Sequence, residues 1–530
     1  MNSYDYIVIG AGSAGCVVTN RLVTAGKSVL LLEAGPADNH PWVHIPATVF
    51  KLQGTARMWK FESEPEPNAL GRKVQMTQGR TLGGGSSVNG MVYIRGQAQD
   101  YDTWRELGCP GWGYDDVLPV FKRSESNMKF ADEYHGTEGP LKVGDARYRH
   151  PLSYAFLRAA QETGLRYTED FNGERQDGVG FYQTTIAEGR RQSTQVTFLS
   201  RVRNNPLLTL HTDAQVESIV FENGAAIGVR YRMKDNSVQE GRVREEVVLC
   251  AGAFGSPKAL QLSGVGPAAL LAELGIPLTR DSPGVGENFQ DHWGASVLGQ
   301  TREPIALLGH DKGLRGLRHG LEYLLFRSGL LSFNIIESGG FMDTSNSGRP
   351  DIQIHMIPNL TGDADRPPPP GHGLTISPCI LRPKARGRVH IKSRDAADSI
   401  VINANTLGHP DDVTALIRGV KLARKILHAP SLARIIEREL APGDGPGDLS
   451  ADTLEHHVRR VAKTVYHPCG TCRMGSDDQA VVDPKLQVHG VPRLRVADAS
   501  IMPTLISGNT NAPSIMIGER CAEFLLAANR

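Results

Sequence analysis

The segment Tyr4 to Gly35 constrains the fold of this chain more than any other stretch. It opens with a short apolar run, residues 6–9, which leads into a glycine-rich turn and then into apolar residues at helical spacing. A second apolar run, residues 29–32, ends at Glu33. This order predicts a strand, a turn, a helix and a second strand, with the acid placed to accept hydrogen bonds from a ribose diol.

The glycines of the turn have distinct physical tasks. Gly10 permits the tight turn, Gly12 lets a pyrophosphate approach the backbone, and Gly15 lets the helix pack against the strand. The helix then begins near Ser13 and Ala14, so its free N–H groups and positive dipole end would face the phosphates. A lone glycine pattern could be a surface turn, but both strands, the helix and the acid are in register here. The chain is therefore predicted to bind a dinucleotide.

Composition excludes several other classes of function. The 530 residues suffice for two or three domains, and a formal net charge of +1 gives no electrostatic reason to expect nucleic acid as a partner. No apolar run reaches the length of a membrane span, and the first strand leaves no room for a cleaved signal peptide. The seven cysteines are expected to be reduced structural thiols. We expect a cytoplasmic protein, with peripheral membrane contact left open.

Two further segments have the composition of loops that face a ligand. Residues 78–96 hold three consecutive glycines and two serines, which favour neither helix nor strand but can present backbone N–H groups. A flexible linker is the alternative, against which the apolar residues 91–94 argue. Residues 246–266 predict a strand, a small-residue turn and a short helix. This unit is either a second ligand-facing element or a plain sheet-to-helix connection.

The remaining patterns predict a mixture of helices, loops and strands. Residues 34–68 are rich in prolines and predict long loops. Residues 207–232 alternate apolar and polar side chains and turn at Asn223-Gly224, as a β-meander does. The proline run 367–370 is expected to be stiff and exposed, as a lid or as a surface spacer. Helices are predicted near residues 100–107, 153–164 and 317–327, and strands at 351–357 and 387–392.

The C-terminal part carries a histidine loop and a final helix. Cys469 and Cys472 in this loop could suggest redox chemistry or zinc, but no second cysteine pair completes a tetrahedral site, so a structural role without metal is favoured. The last segment predicts a helix with Pro513 in its first turn, which places the helix N-terminus near Asn509 and Asn511.

Four signatures together resemble the glucose–methanol–choline (GMC) flavoprotein oxidoreductases, in particular bacterial choline-dehydrogenase-like alcohol dehydrogenases. Besides the first glycine turn, they are Gly79 to Asn89, Gly252 to Gly266, and Tyr466-His467-Pro468, with Gly284 to His292 in addition. The match runs from Tyr4 to Glu519 in the order of the family. Ala259 stands where the second signature usually has a larger aliphatic residue, which we interpret as a packing change.

The resemblance implies a mixed α/β fold with two domains. The first would be a Rossmann-like FAD-binding domain with a β-meander, formed by residues 1–150, 195–295 and 460–530. The second would be a substrate domain, an antiparallel sheet flanked by helices, formed by residues 151–194 and 296–459.

The resemblance also implies FAD as the cofactor. The residues expected to contact it are Gly10, Gly12, Ser13, Ala14, Gly15, Glu33, Ala34, Arg80, Gly83, Gly84, Asn89, Gly90, Met91, Val92, Val216, Tyr466, Asp498, Ala499, Asn511 and Pro513. Within this set the first glycines would hold the pyrophosphate, Glu33 the ribose, and Val216 the adenine through its backbone. Some members attach FAD covalently through a histidine just before the asparagine of the second loop. That position is Val88 here, so non-covalent FAD is expected.

The chemistry implied is oxidation of an alcohol to the carbonyl by hydride transfer to flavin N5. An alcohol needs a base to take its hydroxyl proton, and histidine suits because its pKa is about 6.5. His467 is the family's catalytic histidine by position, and Asn511 would orient the substrate oxygen through its amide. The substrate would be a primary alcohol, a polyol or a sugar, since residues 296–390 show no clear aromatic cluster for the quaternary ammonium of choline.

Three alternatives to a dehydrogenase that passes electrons to a quinone or a protein follow from the same residues. The first is an oxidase that reduces O₂ to hydrogen peroxide, with which the apolar Val465 beside His467 is equally compatible. The second is a flavin-dependent lyase that uses the same base. The third is a flavin-binding protein without catalysis, which the presence of His467 and Asn511 argues against.

Overall fold

The predicted strand–turn–helix–strand unit forms at the start of the chain. In the computed structural model, which describes residues 3–362 and 366–528, strand Ser3–Ile9 pairs in parallel with Val29–Leu32, and helix Ser13–Thr24 connects them. On its other side Ser3–Ile9 pairs in parallel with Val238–Leu249. The first strand and its neighbour are almost wholly buried, as expected for a parallel sheet with both faces covered.

The first large sheet combines a parallel part with an antiparallel meander. Its strand order is Leu208–His211, Val29–Leu32, Ser3–Ile9, Val238–Leu249, Ala225–Arg232 and Gln215–Glu222, with Leu494–Val496 paired to Val238–Leu249. The prediction that residues 208–211 open the meander is wrong, because this strand pairs in parallel with the second strand of the chain. The meander turns at Asn223-Gly224 as predicted, but it continues into the long strand that ends at Leu249.

The second large sheet is antiparallel, which confirms the predicted architecture. Its strand order is Ile436–Ala441, Val297–Thr301, Gly373–Ile380, Ile352–Ile357, Ser338–Met342 and Gly178–Phe181, with Trp293–Gly294 and Lys463–Thr464 attached to it. Helix Pro410–Leu427 packs against this sheet and buries its apolar side there. The two attached strands come from segments assigned by sequence to the other domain. Each sheet has its own hydrophobic core.

Shorter elements complete the fold. Two-stranded pairs are Met58–Glu62 with Gln75–Gly79, Glu125–Asn127 with Leu141–Val143, Ile186–Ala187 with Arg190–Arg191, Val265–Gly266 with Arg280–Asp281, and Arg388–Ile391 with Ile400–Asn403. The α-helices are Ser13–Thr24, Pro41–His44, Ala98–Glu106, Tyr114–Ser124, Pro151–Glu162, Thr194–Thr197, Gly252–Leu262, Ala268–Glu273, Gly313–Phe326, Pro410–Leu427, Pro430–Ala433, Ala451–Val461 and Asn511–Ala527. The 3₁₀ helices are Pro46–Leu52, Pro67–Ala69, Gly84–Ser87, Leu199–Arg201, Leu330–Ser332 and Ala499–Ile501.

The prediction that residues 34–68 form only loops is wrong. Strand Met58–Glu62 lies within this segment and pairs with Gln75–Gly79, where the rings of Trp59 and Phe61 lie 5.9 Å apart. The prolines on either side of this segment predicted loops, so the five-residue strand between them was not recognised. No helix within the described residues 3–362 and 366–528 is long and apolar enough to cross a membrane.

A buried charge cluster around Glu125 and His135 makes stability depend on pH. Glu125 forms an ion pair with the fully buried Arg95, and its Oε1 lies 3.2 Å from His135 Nδ1, while His135 Nε2 lies 2.9 Å from Asp170 Oδ2. Burial opposes the charge on His135, but its hydrogen bonds to Asp170 and Glu125 prevail and raise its pKa to about 9.

We therefore expect His135→Gln to destabilise the protein mainly at low and neutral pH. A histidine whose folded-state pKa is raised contributes its full stabilisation below its ordinary pKa of about 6.5 and loses it as the pH rises through the folded value. The difference in Tm between variant and wild type should be several degrees near pH 6 and should shrink toward pH 10, as measured by calorimetry. An equal difference at both pH values would contradict the assigned charge.

Candidate active site

One cavity brings most of the predicted cofactor residues together. Its volume is about 1060 Å³, and residues of both large sheets line it, among them Leu32 and Val216 from the first and His355 from the second. Pockets for single small molecules occupy roughly 300–1,000 Å³. The cavity is therefore large enough for an extended ligand such as a dinucleotide together with a second, smaller molecule.

In the first glycine turn, Gly10 and Gly15 pack closely against the backbone, whereas Gly12 has open space beside it. A Cβ added at Gly10 would lie 2.5 Å from the carbonyl oxygen of Cys250, and one at Gly15 would lie 1.9 Å from the carbonyl oxygen of Gly10. At Gly12 the only atom within 4 Å is the Cys250 oxygen, at 3.8 Å. The open space at Gly12 fits the close approach of a pyrophosphate to the backbone.

Glu33 lines the cavity together with Gly12. Its Oε2 accepts a hydrogen bond from the Ala11 N–H at 2.9 Å, and its Oε1 accepts one from the Gly35 N–H at 2.8 Å. Burial raises the pKa of Glu33 to about 7. Each carboxylate oxygen keeps a further lone pair, so the side chain can still accept a hydrogen bond from a ribose hydroxyl.

The second glycine-rich loop packs directly on the first. A Cβ added at Gly84 would lie 2.7 Å from the Cα of Gly12. Arg191 is fully buried beneath this loop, and it donates hydrogen bonds to the Ser86 carbonyl at 3.1 Å and to Asn89 Oδ1 at 2.7 Å. The loop is therefore a packed wall of the cavity, as predicted, and not a linker. Arg191 was not predicted, because an arginine in a polar stretch has no sequence feature that marks it as functional.

A helix in the middle of the chain also faces the cavity. Helix Gly252–Leu262 follows the long strand of the first sheet, and its first turn lines the cavity. Asp498 joins this turn to the C-terminal part, because its Oδ2 accepts hydrogen bonds from the Gly252 N–H at 2.8 Å and from Ser256 Oγ at 2.6 Å. Of the two interpretations of this segment, the ligand-facing one fits the geometry.

Most of the predicted cofactor residues line this cavity. They are Gly10, Gly12, Ser13, Ala14, Glu33, Ala34, Gly84, Asn89, Gly90, Met91, Val92, Val216, Tyr466, Asp498, Ala499 and Asn511. Four others do not line it, namely Gly15, Arg80, Gly83 and Pro513. Of these, Gly15 packs against the first turn, and Arg80 lies over the ring of Trp59 at 4.6 Å. These four residues therefore lie behind the residues that form the cavity surface.

His467 lies in the same cavity and is held by a second histidine. Its Nδ1 is 2.9 Å from Nδ1 of His292, whose Nε2 lies 3.0 Å from the carbonyl oxygen of Leu381. A carbonyl can only accept, so His292 carries its proton on Nε2 and accepts at Nδ1 from His467. His467 therefore carries its proton on Nδ1, and its Nε2 has a lone pair that can accept a hydrogen bond. His292 ends a sequence signature, but no role was predicted for it.

The amide that hydrogen-bonds to the unprotonated Nε2 of His467 belongs to Asn509. Asn509 Nδ2 lies 3.1 Å from His467 Nε2, and its Oδ1 accepts from Gln353 Nε2 at 3.1 Å. Asn511, which we predicted to orient the substrate, instead accepts from Ser13 Oγ at 2.8 Å through its own Oδ1. Both amides line the cavity, but only Asn509 contacts the imidazole.

Burial keeps the imidazole neutral. Desolvation, with a smaller contribution from His292 and His355, lowers the pKa of His467 well below its ordinary value. Burial likewise lowers the pKa of His292 to about 3. Asp291 holds the histidine loop in place, since its carboxylate accepts hydrogen bonds from the backbone N–H of His467 at 2.9 Å and from Thr464 Oγ1 at 2.5 Å. The site thus presents a neutral, oriented base.

The cysteine pair of the histidine loop has no part in this geometry. Cys469 and Cys472 are buried free thiols, and burial raises the pKa of both. A buried thiol with a raised pKa is a poor nucleophile and a poor metal ligand. The structural role expected from the sequence agrees with this placement.

A dinucleotide-type glycine turn and a neutral imidazole in one cavity define an oxidoreductase that works with a bound nucleotide cofactor. Residues 4–294 and 383–518 match the N- and C-terminal domains of the GMC oxidoreductases. The chain therefore belongs to the GMC oxidoreductase family, and FAD is its cofactor.

Relatives of known activity and structure cover the whole chain. Over 533 residues the chain is 43% identical to an alcohol dehydrogenase [acceptor] of Pseudomonas putida, with 99% of this chain and 96% of the relative covered. It is 40% identical to an oxygen-dependent choline dehydrogenase of Pseudomonas syringae pv. tomato, with 98% and 93% covered. Pyridoxine 4-oxidase from Mesorbium loti superposes with a TM-score of 0.88 at 30% identity over 98% of both chains. An Aspergillus oryzae formate oxidase variant superposes with a TM-score of 0.93 at 25% identity over 99% of this chain and 98% of the other.

Proposed function

We propose that this enzyme oxidises a neutral primary alcohol to the carbonyl with His467 as the base. The observation that supports the proposal most directly is the unprotonated Nε2 of His467, a residue that lines the cavity, which accepts a hydrogen bond from the amide of Asn509 at 3.1 Å. The 43% identity to an alcohol dehydrogenase [acceptor] supports the same reaction class. In this proposal Asn509 takes the role that the sequence suggested for Asn511.

The mechanism follows from the two side chains. FAD, when bound, supplies the hydride acceptor. The hydroxyl group of the substrate replaces the hydrogen bond between Asn509 Nδ2 and His467 Nε2, which are 3.1 Å apart, and His467 then accepts the hydroxyl proton at Nε2. Asn509 donates a hydrogen bond to the oxygen as its negative charge develops, and the hydrogen bond from Gln353 holds the amide in that orientation. Electron density on the oxygen then favours loss of hydride from the carbon.

The reduction rate is expected to depend on pH only on the acid side. A base acts in its neutral form, and burial lowers the pKa of His467 well below about 6.5. The rate constant for flavin reduction at saturating alcohol should be constant from about pH 7 upward and should fall about tenfold per pH unit once the pH is below that pKa. Anaerobic stopped-flow absorbance measures it. A rate that rises steeply between pH 7 and 9 would assign the proton to another group.

FAD is proposed to bind without a covalent bond. Val88 is a buried aliphatic residue that packs with Val43, Leu52 and Met58, and it offers no nucleophile to the cofactor. Acid precipitation of the yellow protein should therefore release all of the flavin into the supernatant, and the pellet should be colourless. Flavin absorbance that stays with the precipitated protein would contradict the proposal.

The chemistry of the cavity supports a neutral substrate. Among the described residues, the carboxylates that line it are Glu33, Asp311 and Asp498, and each has a partner in the protein. Glu33 and Asp498 belong to the proposed cofactor end. Aromatic side chains such as Trp59, Phe333 and Tyr466 also line the cavity, but without an unpaired carboxylate they would be the quaternary ammonium's only attractive partners among the described residues. An uncharged alcohol is therefore proposed.

The experiment that tests the function is the visible spectrum of the purified enzyme under anaerobic conditions with a series of alcohols. Bleaching of the flavin bands by one class of alcohol supports the proposal, while unchanged bands with every alcohol would support a flavin-binding protein without catalysis. Reoxidation in air separates two acceptors. Slow recovery of colour indicates a dehydrogenase that uses a quinone or a protein, the function we favour from the alcohol dehydrogenase [acceptor] relative, and fast recovery with peroxide indicates an oxidase.

Three further assignments belong to this proposal. The two sheets with separate cores support the division into a discontinuous FAD domain and a substrate domain, with residues 293–294 and 463–464 moved to the latter. Seven buried free thiols support a location in the reducing cytoplasm.

Arg366 and Pro368 line the cavity, which supports a lid function for the proline run 367–370. Residues 363–365 lie outside the described residues.

A further inference from the structure

Helix Gly313–Phe326 carries an apolar face that points away from the protein. Its leucines recur at intervals of three and four residues, which places them on one side of a helix. Their exposed fractions are 85% for Leu314, 59% for Leu317, 50% for Leu321, 68% for Leu324 and 70% for Leu325. Phe326 at the helix end is 68% exposed. We call the five leucines the leucine face.

The packing of the helix keeps this face outside. Tyr323 is its buried side chain, and the Tyr323 hydroxyl donates a hydrogen bond to the carbonyl of Gly189 at 2.9 Å. His319, on the same side as Tyr323, has its Nε2 3.1 Å from Nδ1 of His310. The helix is thus attached through Tyr323 and His319, and rotation to bury the leucines would break these contacts. A contiguous exposed apolar surface of this kind marks an interaction site.

Positive charge borders the leucine face. Arg315 and Arg318 lie on the helix, Lys312 precedes it and Arg327 ends it, while Glu322 is its one acid. An amphipathic helix with exposed leucines and an excess of cations is suited to the interface of a bilayer with anionic headgroups. A second copy of the same face would bring these cations together, which opposes self-association.

The leucine face is adjacent to the cavity of the active site. Residues 307–311, which lead directly into the helix, line the cavity, and so do Leu330, Leu331 and Phe333, which follow it. Lys51 and Asp311 connect the start of the helix to the neighbouring cavity wall through an ion pair of 3.8 Å. The segments on either side of the helix therefore form part of the apolar wall through which a substrate would reach His467.

We propose that the leucine face docks the enzyme on an anionic phospholipid bilayer, so that the cavity takes up an apolar alcohol dissolved in the membrane. The docking itself rests on the exposed helix and its charges. The uptake of an apolar alcohol rests on the proposed function, because it assumes that the alcohol is oxidised at His467.

Vesicle co-sedimentation of the FAD-loaded enzyme tests the docking. The wild type should bind vesicles of phosphatidylglycerol and phosphatidylethanolamine and should bind vesicles of phosphatidylcholine more weakly. The double variant Leu317→Glu/Leu321→Glu should lose at least about tenfold in binding, because it places two anions on the apolar face. The matched control Leu107→Glu/Leu278→Glu changes two leucines that are 50% and 54% exposed elsewhere, and it should bind as the wild type does.

Three results would overturn the docking. They are failure of the wild type to bind, equal binding by Leu317→Glu/Leu321→Glu, and a dimer in light scattering that this variant dissociates, which would assign the face to a second copy. FAD content of each variant shows whether it is folded. Oxidation of a short, water-soluble alcohol should be unaffected by the double variant, so vesicle binding that persists without any alcohol oxidation would refute the proposed function and leave the docking intact.

The uptake of alcohol from the membrane has its own test. An alcohol dissolved in the membrane should be oxidised more slowly by the double variant than by the control, and equal rates would overturn the proposed uptake.

Discussion

His467→Ala is expected to slow the reduction of bound FAD by an alcohol about 10²- to 10⁴-fold, the usual contribution of a positioned general base. The variant removes the nitrogen that accepts the hydroxyl proton, while the glycine turns at the other end of the cavity stay intact. FAD content should therefore equal that of the wild type. Anaerobic stopped-flow measurement of the flavin absorbance gives the rate constant directly.

Asn509 and Asn511 provide a matched pair for the same measurement. Asn509→Ala removes the amide beside His467, so it should slow reduction, whereas Asn511→Ala removes a hydrogen bond to Ser13 and should weaken FAD binding more than it slows reduction. A His467→Ala enzyme that reduces FAD at nearly the normal rate would eliminate its assigned role. A larger rate effect for Asn511→Ala than for Asn509→Ala would return the orienting role to the residue first predicted.

Gly12→Val is expected to give a folded protein that purifies without colour. The Cβ position at Gly12 is 3.8 Å from its nearest neighbour, so a Cβ there meets no close contact within the protein, and the valine side chain would occupy the space that the pyrophosphate requires. We expect the affinity for FAD to fall at least about 100-fold, which corresponds to roughly 2.8 kcal/mol. Fluorescence titration of the apo-protein with FAD measures the change, and circular dichroism reports the fold.

Two other glycine variants serve as controls for this result. At Gly447 no atom lies within 4 Å of an added Cβ, so Gly447→Val should bind FAD normally. At Gly15 an added Cβ would meet the Gly10 carbonyl oxygen at 1.9 Å, so Gly15→Ala should fail to fold. A yellow, fully loaded Gly12→Val enzyme would show that the phosphates do not lie at this turn.

The sequence predicted best the parts of the fold where local sterics decide. The first glycine turn is such a part, because Gly10 and Gly15 leave no room for any side chain. The two-sheet architecture followed from the family resemblance and from strand patterns. The partner of the strand at residues 208–211 was missed, because an alternating run specifies which side chains are buried but not which strand it joins.

The site was predicted less completely, because it depends on directions in space. Two asparagines two residues apart at one helix N-terminus look alike in sequence, and only the path of the chain aims Asn509 at the imidazole. His292 and Arg191 act through buried hydrogen bonds with residues more than 100 positions away. No local pattern encodes contacts of that kind.

The hydrogen-bonded line from the Leu381 carbonyl through His292 to His467 is closed at its inner end. A backbone carbonyl cannot carry a proton onward, and His292, whose pKa burial lowers to about 3, resists taking one. In the proposed mechanism, a proton taken up by His467 would therefore not leave along this line and would return to the cavity side of the imidazole. Release of that proton would then be coupled to the opening of the cavity to water when the carbonyl product departs.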